Sequence, residues 1–281
     1  MKVSSDLCFV DSHVHLASKA FSRDREAVLQ RALEEGVCAL LSPAEVSDAS
    51  ELPRLLEVRK VYPNVFISAG VHPHQAKNFR PSEAETIETL AREGIICAVG
   101  EIGLDFHYNL SPPSVQIEVF RTQLRMAQKM GLPVIVHCRK ASREVAAAVE
   151  EEGFTNRGVL HCFSESLDFA KRMIAHGFLV SFSGILTYGS AGNLRHVARQ
   201  LPIENILIET DAPYLVPEPR KGRTKRNEPA FLKDIARTLA EIRNTSVEDV
   251  ARATTGNYQT LFRLKFKKRD VKIGPPTDGD T

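Results

Sequence analysis

The sequence has few cysteines, and none of them forms a Cys-x-x-Cys pair. The five are odd in number and lie in apolar surroundings: Cys8, Cys38, Cys97, Cys138 and Cys162. A disulfide framework in a small secreted domain has an even number of cysteines at regular spacing, and this pattern is missing here. We therefore predict reduced, buried thiols and an intracellular protein, located in the cytoplasm, with the nucleus as an additional location.

The chain also has little net charge and no long hydrophobic run. Its formal net charge is +2 although 26% of its residues are charged, so it is neither a polycation nor an acidic protein. Any contact with nucleic acid must therefore come from a local patch. No run reaches the roughly 20 apolar residues of a membrane-spanning helix, and no segment has the pattern of a signal peptide. The sequence predicts a soluble protein with no membrane partner and no obligate protein partner.

What the sequence does contain is an alternation of short apolar runs and segments with helical spacing. Eight apolar runs cover about 8–14, 37–42, 65–70, 95–100, 133–137, 158–162, 178–182 and 205–209. Several of the helical segments end at a glycine, namely Gly36, Gly94, Gly131 and Gly153. Eight strand-helix units predict a (β/α)8 TIM barrel, with a doubly wound open sheet as the alternative. We assign residues 1–264 to one domain and 265–281, which are polar and rich in Gly and Pro, to a flexible tail.

Six potential metal ligands lie at or just past the ends of these apolar runs: His13, His15, Glu101, His137, His161 and Asp211. The two histidines of the first run are two positions apart, so a strand would point both to one face and would align Asp11 with them. Side chains from strands 1, 4, 5, 6 and 8 can converge only if the sheet closes, which favours the barrel. The pattern predicts a buried metal centre.

Eight short motifs carry a resemblance to a known family. They are DSHVHL (11–16), GVHPH (70–74), GEIGLDF (100–106), PVIVHCR (133–139), GVLHCFS (158–164), SFSGILT (181–187), ILIETDAPYL (206–215) and RNEP (226–229). From about residue 9 to 262 the chain resembles the TatD family of metal-dependent deoxyribonucleases, which are TIM barrels of the amidohydrolase superfamily. The resemblance implies that His13 and His15 bind one metal ion and that His137 and His161 bind a second. It also implies that Glu101 bridges the two ions and that Asp211 completes the first site beside the attacking water.

These implied ligands predict the chemistry of the centre. Two divalent cations about 4 Å apart can activate a water molecule and stabilise charge on a phosphodiester. Imidazole-rich ligation favours zinc or manganese, with magnesium as the alternative. The resemblance implies 3′-to-5′ exonuclease action on single-stranded DNA, and cleavage at abasic sites is compatible with the same centre. Two alternatives remain: hydrolysis of a small ester, lactone or amide by another amidohydrolase-type enzyme, and a non-catalytic nucleic-acid-binding module.

Substrate contacts are predicted around this centre. His72 and His74 flank Pro73 after the third strand, and the resemblance favours substrate contact, with His72 delivering a proton to the leaving group. Arg139 follows a proposed ligand and could bind phosphate, and Asn227 of the RNEP motif is a further candidate. The segment 217–229 also has five basic residues that could line a nucleic-acid groove or form a solvated loop: Arg220, Lys221, Arg223, Lys225 and Arg226.

Overall fold

The protein is described here by a computed structural model of residues 7–266, in which eight parallel strands form one sheet. Each strand pairs with the next one along the chain, in the order β1 to β8. The strands are β1 Phe9–Asp11, β2 Val37–Glu45, β3 Val65–Gly70, β4 Ala98–Asp105, β5 Val134–Arg139, β6 Gly158–Leu160, β7 Phe178–Phe182 and β8 Ile206–Ile208. All eight predicted strands are therefore present.

Hydrogen bonds between the first and the last strand show that the sheet is nearly closed. The backbone N–H of Ser12 donates to the carbonyl of Ile208 at 3.1 Å, and the N–H of Asp211 donates to the carbonyl of His13 at 3.0 Å. Because an open sheet would leave these edges apart, the predicted (β/α)8 barrel is confirmed and the doubly wound sheet is excluded.

Helices follow the strands as the alternation predicts. They are α1 Arg25–Glu34, α2 Glu51–Val61, α3 Pro81–Arg92, α4 Pro113–Met130, α5 Ser142–Glu151, α6 Leu167–Ala175, α7 Gly192–Gln200, α8 Leu232–Arg243 and α9 Val247–Phe262. The four glycines predicted to end helices all have positive φ, between +58° and +86°. They follow the ends of α1, α3, α4 and α5, where a left-handed residue stops the helix without a Cβ clash.

Helix α9 closes the end of the barrel opposite the carboxyl ends of the strands. Apolar side chains near the strand starts, among them Val10, Ala39, Ile135 and Leu207, form one buried cluster inside the barrel. Tyr258, Leu261 and Phe262 of α9 belong to the same cluster. The larger apolar layer lies between the strands and the surrounding helices. This packing covers the interior of the barrel at the strand starts and leaves the carboxyl ends of the strands, where the predicted ligands lie, uncovered by α9.

Strand β4 differs from its predicted bounds. It spans Ala98–Asp105 and not 95–100, and its pairing with β5 is irregular between Val99 and Ile102. Glu101 therefore lies within the strand and not at its end. The interruption of the apolar run by Gly100, Glu101 and Gly103 made the strand look shorter than it is.

The cysteines are not all reduced as predicted. The structure joins Cys8 to Cys38 in a disulfide, so the prediction of five reduced thiols is wrong for this pair. Cys97, Cys138 and Cys162 are free.

Phe266, placed in the predicted tail, packs on Phe66 with ring centroids 5.9 Å apart. The rest of that tail, 267–281, lies outside the described residues. Within 7–266, no helix has the length and apolar character needed to span a membrane.

Candidate metal centre

The structure brings all six predicted ligands together at the carboxyl ends of the strands. His13 and His15 follow β1, Glu101 lies in β4 and His137 in β5. His161 directly follows β6, and Asp211 lies three residues past β8, where its φ of +55° turns the chain. The six side chains therefore meet at the carboxyl end of the barrel, with Glu101 and His137 inside their strands and the other four just past strand ends.

Glu101 is the carboxylate on which most of these imidazoles converge. Its Oε1 lies 2.9 Å from His137 Nδ1 and 2.8 Å from His161 Nε2. Its Oε2 lies 3.3 Å from His13 Nε2. Burial opposes ionisation, yet the neighbouring histidines hold the pKa of Glu101 well below its usual range. Glu101 is therefore an anion placed between two groups of imidazoles.

The ligand atoms fall into two groups that share this carboxylate. In the first, His13, His15 and Asp211 place one ligand atom each within 4.8 Å of one another. His15 Nε2 lies 3.2 Å from Asp211 Oδ1. In the second, His137 Nδ1 lies 3.3 Å from His161 Nε2, and both face Glu101. His161 also forms a group with His13 and Glu101, so the ligands are one connected cluster, and the two metal sites that the family resemblance implies stay a prediction.

Unpartnered polar atoms at the centre fit a bound cation. Both ring nitrogens of His13 and Oδ1 of Asp211 are buried and make no well-formed hydrogen bond among the described residues, although His13 Nε2 and Asp211 Oδ1 lie 3.3 and 3.2 Å from other predicted ligands. Leaving such atoms unpaired in the interior is costly. Burial lowers the pKa of His13, which favours the neutral imidazole that a metal ion requires. A divalent cation would satisfy His13 Nε2 and Asp211 Oδ1, and the imidazole and carboxylate donors suit it.

Two further carboxylates, which the sequence analysis did not select, hold the outer nitrogens of the ligand histidines. Asp105 Oδ2 lies 3.2 Å from His137 Nε2, and Glu209 Oε1 lies 3.3 Å from His161 Nδ1. Such partners fix the ring orientation of metal-binding histidines. Each lies in a motif beside a selected ligand, in GEIGLDF and IETDAP. Acidic residues at those strand ends were the available signal, but their partners come from other strands.

We expect Asp105→Asn to weaken metal binding by about 10- to 100-fold, because one carboxylate serves two sets of donors. Its Oδ1 accepts from the N–H groups of His107 and Tyr108, each at 2.9 Å, while Oδ2 faces His74 and His137. An amide cannot accept at both ends. Titration of metal-free protein with zinc against a competing chelator measures the effect. Glu57→Gln, at an exposed ion pair on α2, serves as the control, and equal affinities for both variants would contradict the assigned role.

His72 and His74 lie in the β3–α3 loop at the edge of the centre. His72 Nδ1 accepts from the N–H of His74 at 3.1 Å, so its proton is on Nε2, which lies 3.2 Å from Glu101 Oε1. Burial lowers the pKa of His72 to about 4. This favours a neutral imidazole that donates from Nε2, and the predicted proton delivery to the leaving group stays a prediction. His72 also forms a possible ligand group with Glu101 and His137.

Asn227 and Arg139 differ in their access to substrate. Asn227 is fully buried, and its amide nitrogen donates to the carbonyls of Thr210 and Tyr214 at 2.9 and 2.6 Å. This burial argues against the predicted substrate contact, and the hydrogen bonds give the residue a role in holding the loop after β8. Arg139, in contrast, is exposed at the end of β5 and has no ion-pair partner among residues 7–266. It remains a candidate for phosphate contact.

The basic segment 217–229 is partly neutralised by acidic partners. Arg220 Nε lies 2.7 Å from Asp234 Oδ2, and Arg226 Nη2 lies 2.6 Å from Asp24 Oδ2. Both arginines are thus committed to the packing of this loop against its neighbours. The segment is therefore not the uniformly free basic groove that its composition suggested.

Asp11 does not join the metal ligands. It is fully buried and accepts from the N–H of Thr210 at 2.9 Å as well as from the Thr210 hydroxyl. Burial raises the pKa of Asp11 to about 8. Its contacts connect β1 to the segment after β8, so its role is to close the barrel beside the centre.

A cavity of about 600 Å³ opens above the centre. Five of the six predicted ligands line it, together with His72, His74 and Arg139. A second cavity of about 580 Å³ lies at the α9 end of the barrel and has none of the predicted ligands. Among the larger cavities formed by residues 7–266, the first is the one that combines space for a substrate with the predicted chemistry.

Comparison with known proteins agrees with this geometry. A family model described as TatD related DNase matches residues 10–263. The chain is 37% identical to the uncharacterised metal-dependent hydrolase YcfH of Escherichia coli K12, covering 91% of this chain and 96% of that protein. It is 35% identical to the 3′-5′ ssDNA/RNA exonuclease TatD of Escherichia fergusonii, covering 91% and 99%. The crystal structure of the TatD homologue YjjV from E. coli K12 superposes with a TM-score of 0.85 at 31% identity, covering 92% of this chain and 98% of that one.

Proposed function

The chain belongs to the TatD related DNase family of metal-dependent hydrolases, and we propose that it removes nucleotides from the 3′ end of single-stranded DNA. The observation that carries this proposal is the convergence of the six predicted ligands, Glu101 among them, beneath an open cavity. A relative named as a 3′-5′ ssDNA/RNA exonuclease supports the choice of substrate and polarity.

The proposed cofactors are two divalent cations, with zinc or manganese favoured and magnesium as the alternative. His13, His15 and Asp211 would hold one, and His137 with His161 would hold the other. Glu101 would contact both, because its two oxygens face different histidines. When bound, such cations lower the pKa of a coordinated water and polarise the phosphodiester.

The protein's own groups then have distinct tasks. Asp211 would orient the attacking water and accept its proton, since its carboxylate lines the cavity beside the ligand histidine His15. His72, with its proton on Nε2, would donate to a phosphate oxygen. Arg139 would bind the phosphate next to the scissile one. No serine or cysteine nucleophile is needed for this reaction.

Phosphodiester hydrolysis is favoured over the two alternatives. A binding module without catalysis would gain nothing from buried imidazole and carboxylate atoms that lack partners. A small-ester hydrolase does not need the exposed arginine at the cavity edge. Cleavage at abasic sites stays a prediction made from the resemblance.

The test is digestion of a 5′-labelled single-stranded oligonucleotide by metal-stripped protein, with manganese, magnesium or zinc added back. We expect metal-dependent products that shorten progressively from the 3′ end. Phosphorothioate linkages at the 3′ end should delay digestion, whereas the same linkages at the 5′ end should not. Small esters and lactones are assayed in parallel. Turnover of these compounds with no oligonucleotide cleavage under any metal would replace the nuclease assignment with the small-molecule one.

A further inference from the structure

Large apolar side chains are exposed at few places on the described surface, and these places cluster near the cavity. Among residues 7–266 the exposed large hydrophobic residues are Val61, Tyr108, Leu110 and Tyr214. Tyr108 and Tyr214 both line the cavity above the metal centre, and Leu110 lies in the same loop as Tyr108. Exposed apolar surface at the rim of a polar site marks a place where a ligand binds.

The two tyrosines stand at opposite ends of a row of histidine rings. The Tyr214 ring centroid lies 5.7 Å from that of His15, and the Tyr108 centroid lies 5.7 Å from that of His74. Between these ends, successive ring contacts run from His15 through His13, His161 and His137 to His74. The tyrosines therefore flank the proposed cations on two sides.

Neither tyrosine is committed to the packing of the protein. Tyr108 is 55% exposed and Tyr214 is 58% exposed. Their hydroxyls make no hydrogen bond to any other part of residues 7–266, while their backbone groups are held firmly: the Tyr108 N–H by Asp105, and the Tyr214 carbonyl by Asn227. The backbone is thus fixed close to the centre, and the rings remain free to contact a ligand.

Charge beside one ring completes the recognition chemistry. The Arg139 guanidinium carbon lies 4.7 Å from the Tyr108 ring centroid, at the exposed end of β5. An aromatic surface beside an arginine matches a nucleotide, which has a planar base and an adjacent phosphate. The reacting phosphodiester would then lie in the cavity over the imidazoles between the two tyrosines.

We propose that Tyr108 and Tyr214 are base-stacking residues that bind unpaired nucleobases on either side of the scissile phosphodiester. The inference rests on the nuclease function proposed above and deepens it by naming what selects single strands. In a duplex the bases are stacked and paired, and their faces cannot reach two separate tyrosines. Stacking tolerates any base, because every base has an aromatic face. The site therefore distinguishes unpaired from paired ends and has little preference for sequence.

The test combines protein variants with substrates that lack bases. The variants are Tyr108→Ala and Tyr214→Ala, with Tyr108→Phe and Tyr214→Phe as controls that keep the ring. Val61→Ala is the control for removing an exposed apolar side chain elsewhere, since Val61 is 47% exposed on α2. The substrates are identical oligonucleotides in which one or both of the last two 3′ nucleotides are replaced by a tetrahydrofuran spacer. The first measurement is kcat/KM. The second is binding by fluorescence anisotropy, for which the terminal linkages are made phosphorothioate.

We expect each alanine variant to lose about 5- to 100-fold in kcat/KM and in affinity on the intact single strand. The phenylalanine variants keep the ring and should retain most of the kcat/KM and affinity that the alanine variants lose, while Val61→Ala should stay within about twofold of the wild type. When the spacer replaces the base that stacks on the mutated tyrosine, the kcat/KM and affinity of the wild type should fall by a similar factor. In the alanine variant the same replacement should cause little further loss. This non-additivity identifies a direct contact between ring and base.

Two results would overturn the stacking role. One is an unchanged affinity in both alanine variants, and the other is a loss on base removal that is equally large with and without the tyrosine. Failure of the nuclease proposal looks different, because then the wild type cleaves no oligonucleotide with any metal. The anisotropy measurement needs no turnover, so it decides the stacking question even in that case.

Discussion

Glu101→Ala is expected to remove metal-dependent turnover, with a loss of at least about 1000-fold at saturating metal. The reason is that Glu101 contacts both ligand groups: Oε2 faces His13, while Oε1 faces His137 and His161. Loss of this one carboxylate removes a ligand from both proposed cations. Metal affinity should fall by more than the roughly 10- to 100-fold that is typical of an outer partner. Metal content after dialysis, measured by mass spectrometry, and oligonucleotide digestion are the two readouts.

Two control variants separate the loss of a ligand from a loss of structure. Glu101→Gln keeps the size of the side chain and one oxygen acceptor, so it should fold and still bind metal more weakly than the wild type. Glu85→Ala removes an exposed carboxylate from α3 and should leave both readouts unchanged. Wild-type metal content and turnover in Glu101→Ala would show that the centre does not depend on this carboxylate.

The ligands could be predicted from the sequence because each lies beside a buried apolar strand. In a parallel barrel the carboxyl ends of all strands meet at one rim. Residues that follow different strands in the sequence are therefore expected to lie close together in the structure. This reasoning located His13, His137, His161 and Asp211 without knowledge of any contact. It failed for the bounds of β4, where the interrupted apolar run hid a strand that continues through Glu101 to Asp105.

Roles that depend on a partner from another element could not be predicted in this way. The function of Asp105 depends on His74 and His137, and that of Glu209 depends on His161. Asn227 carried a motif signal, but its burial and its hydrogen bonds to the loop after β8 became visible only in three dimensions. The same holds for the basic segment, in which Arg226 pairs with an acidic residue about 200 positions away, Asp24.

Among substitutions that add one methyl group near the metal centre, Gly103→Ala is expected to lower the stability of the protein most. Gly103 lies in β4 opposite His137 in β5, with φ at +135°, a region that L-residues rarely adopt. A Cβ at this position would lie 2.0 Å from the His137 carbonyl oxygen and 2.9 Å from its backbone nitrogen. Since both atoms belong to the backbone of the paired strand, a side-chain rotation cannot relieve the clash. The strands would have to separate between Glu101 and His137.

We therefore expect the free energy of unfolding to fall by more than about 4 kcal/mol in Gly103→Ala, together with loss of bound metal. The matched control is Gly94→Ala. Gly94 also has a positive φ, +67°, but a Cβ there would meet nothing within 4 Å. Gly94→Ala should lower the free energy of unfolding by about 1 kcal/mol, because only the backbone conformation is disfavoured. Urea unfolding followed by circular dichroism compares the two variants. If they unfold at the same midpoint, the close approach of β4 and β5 at Gly103 does not hold the Glu101 and His137 ligands in place.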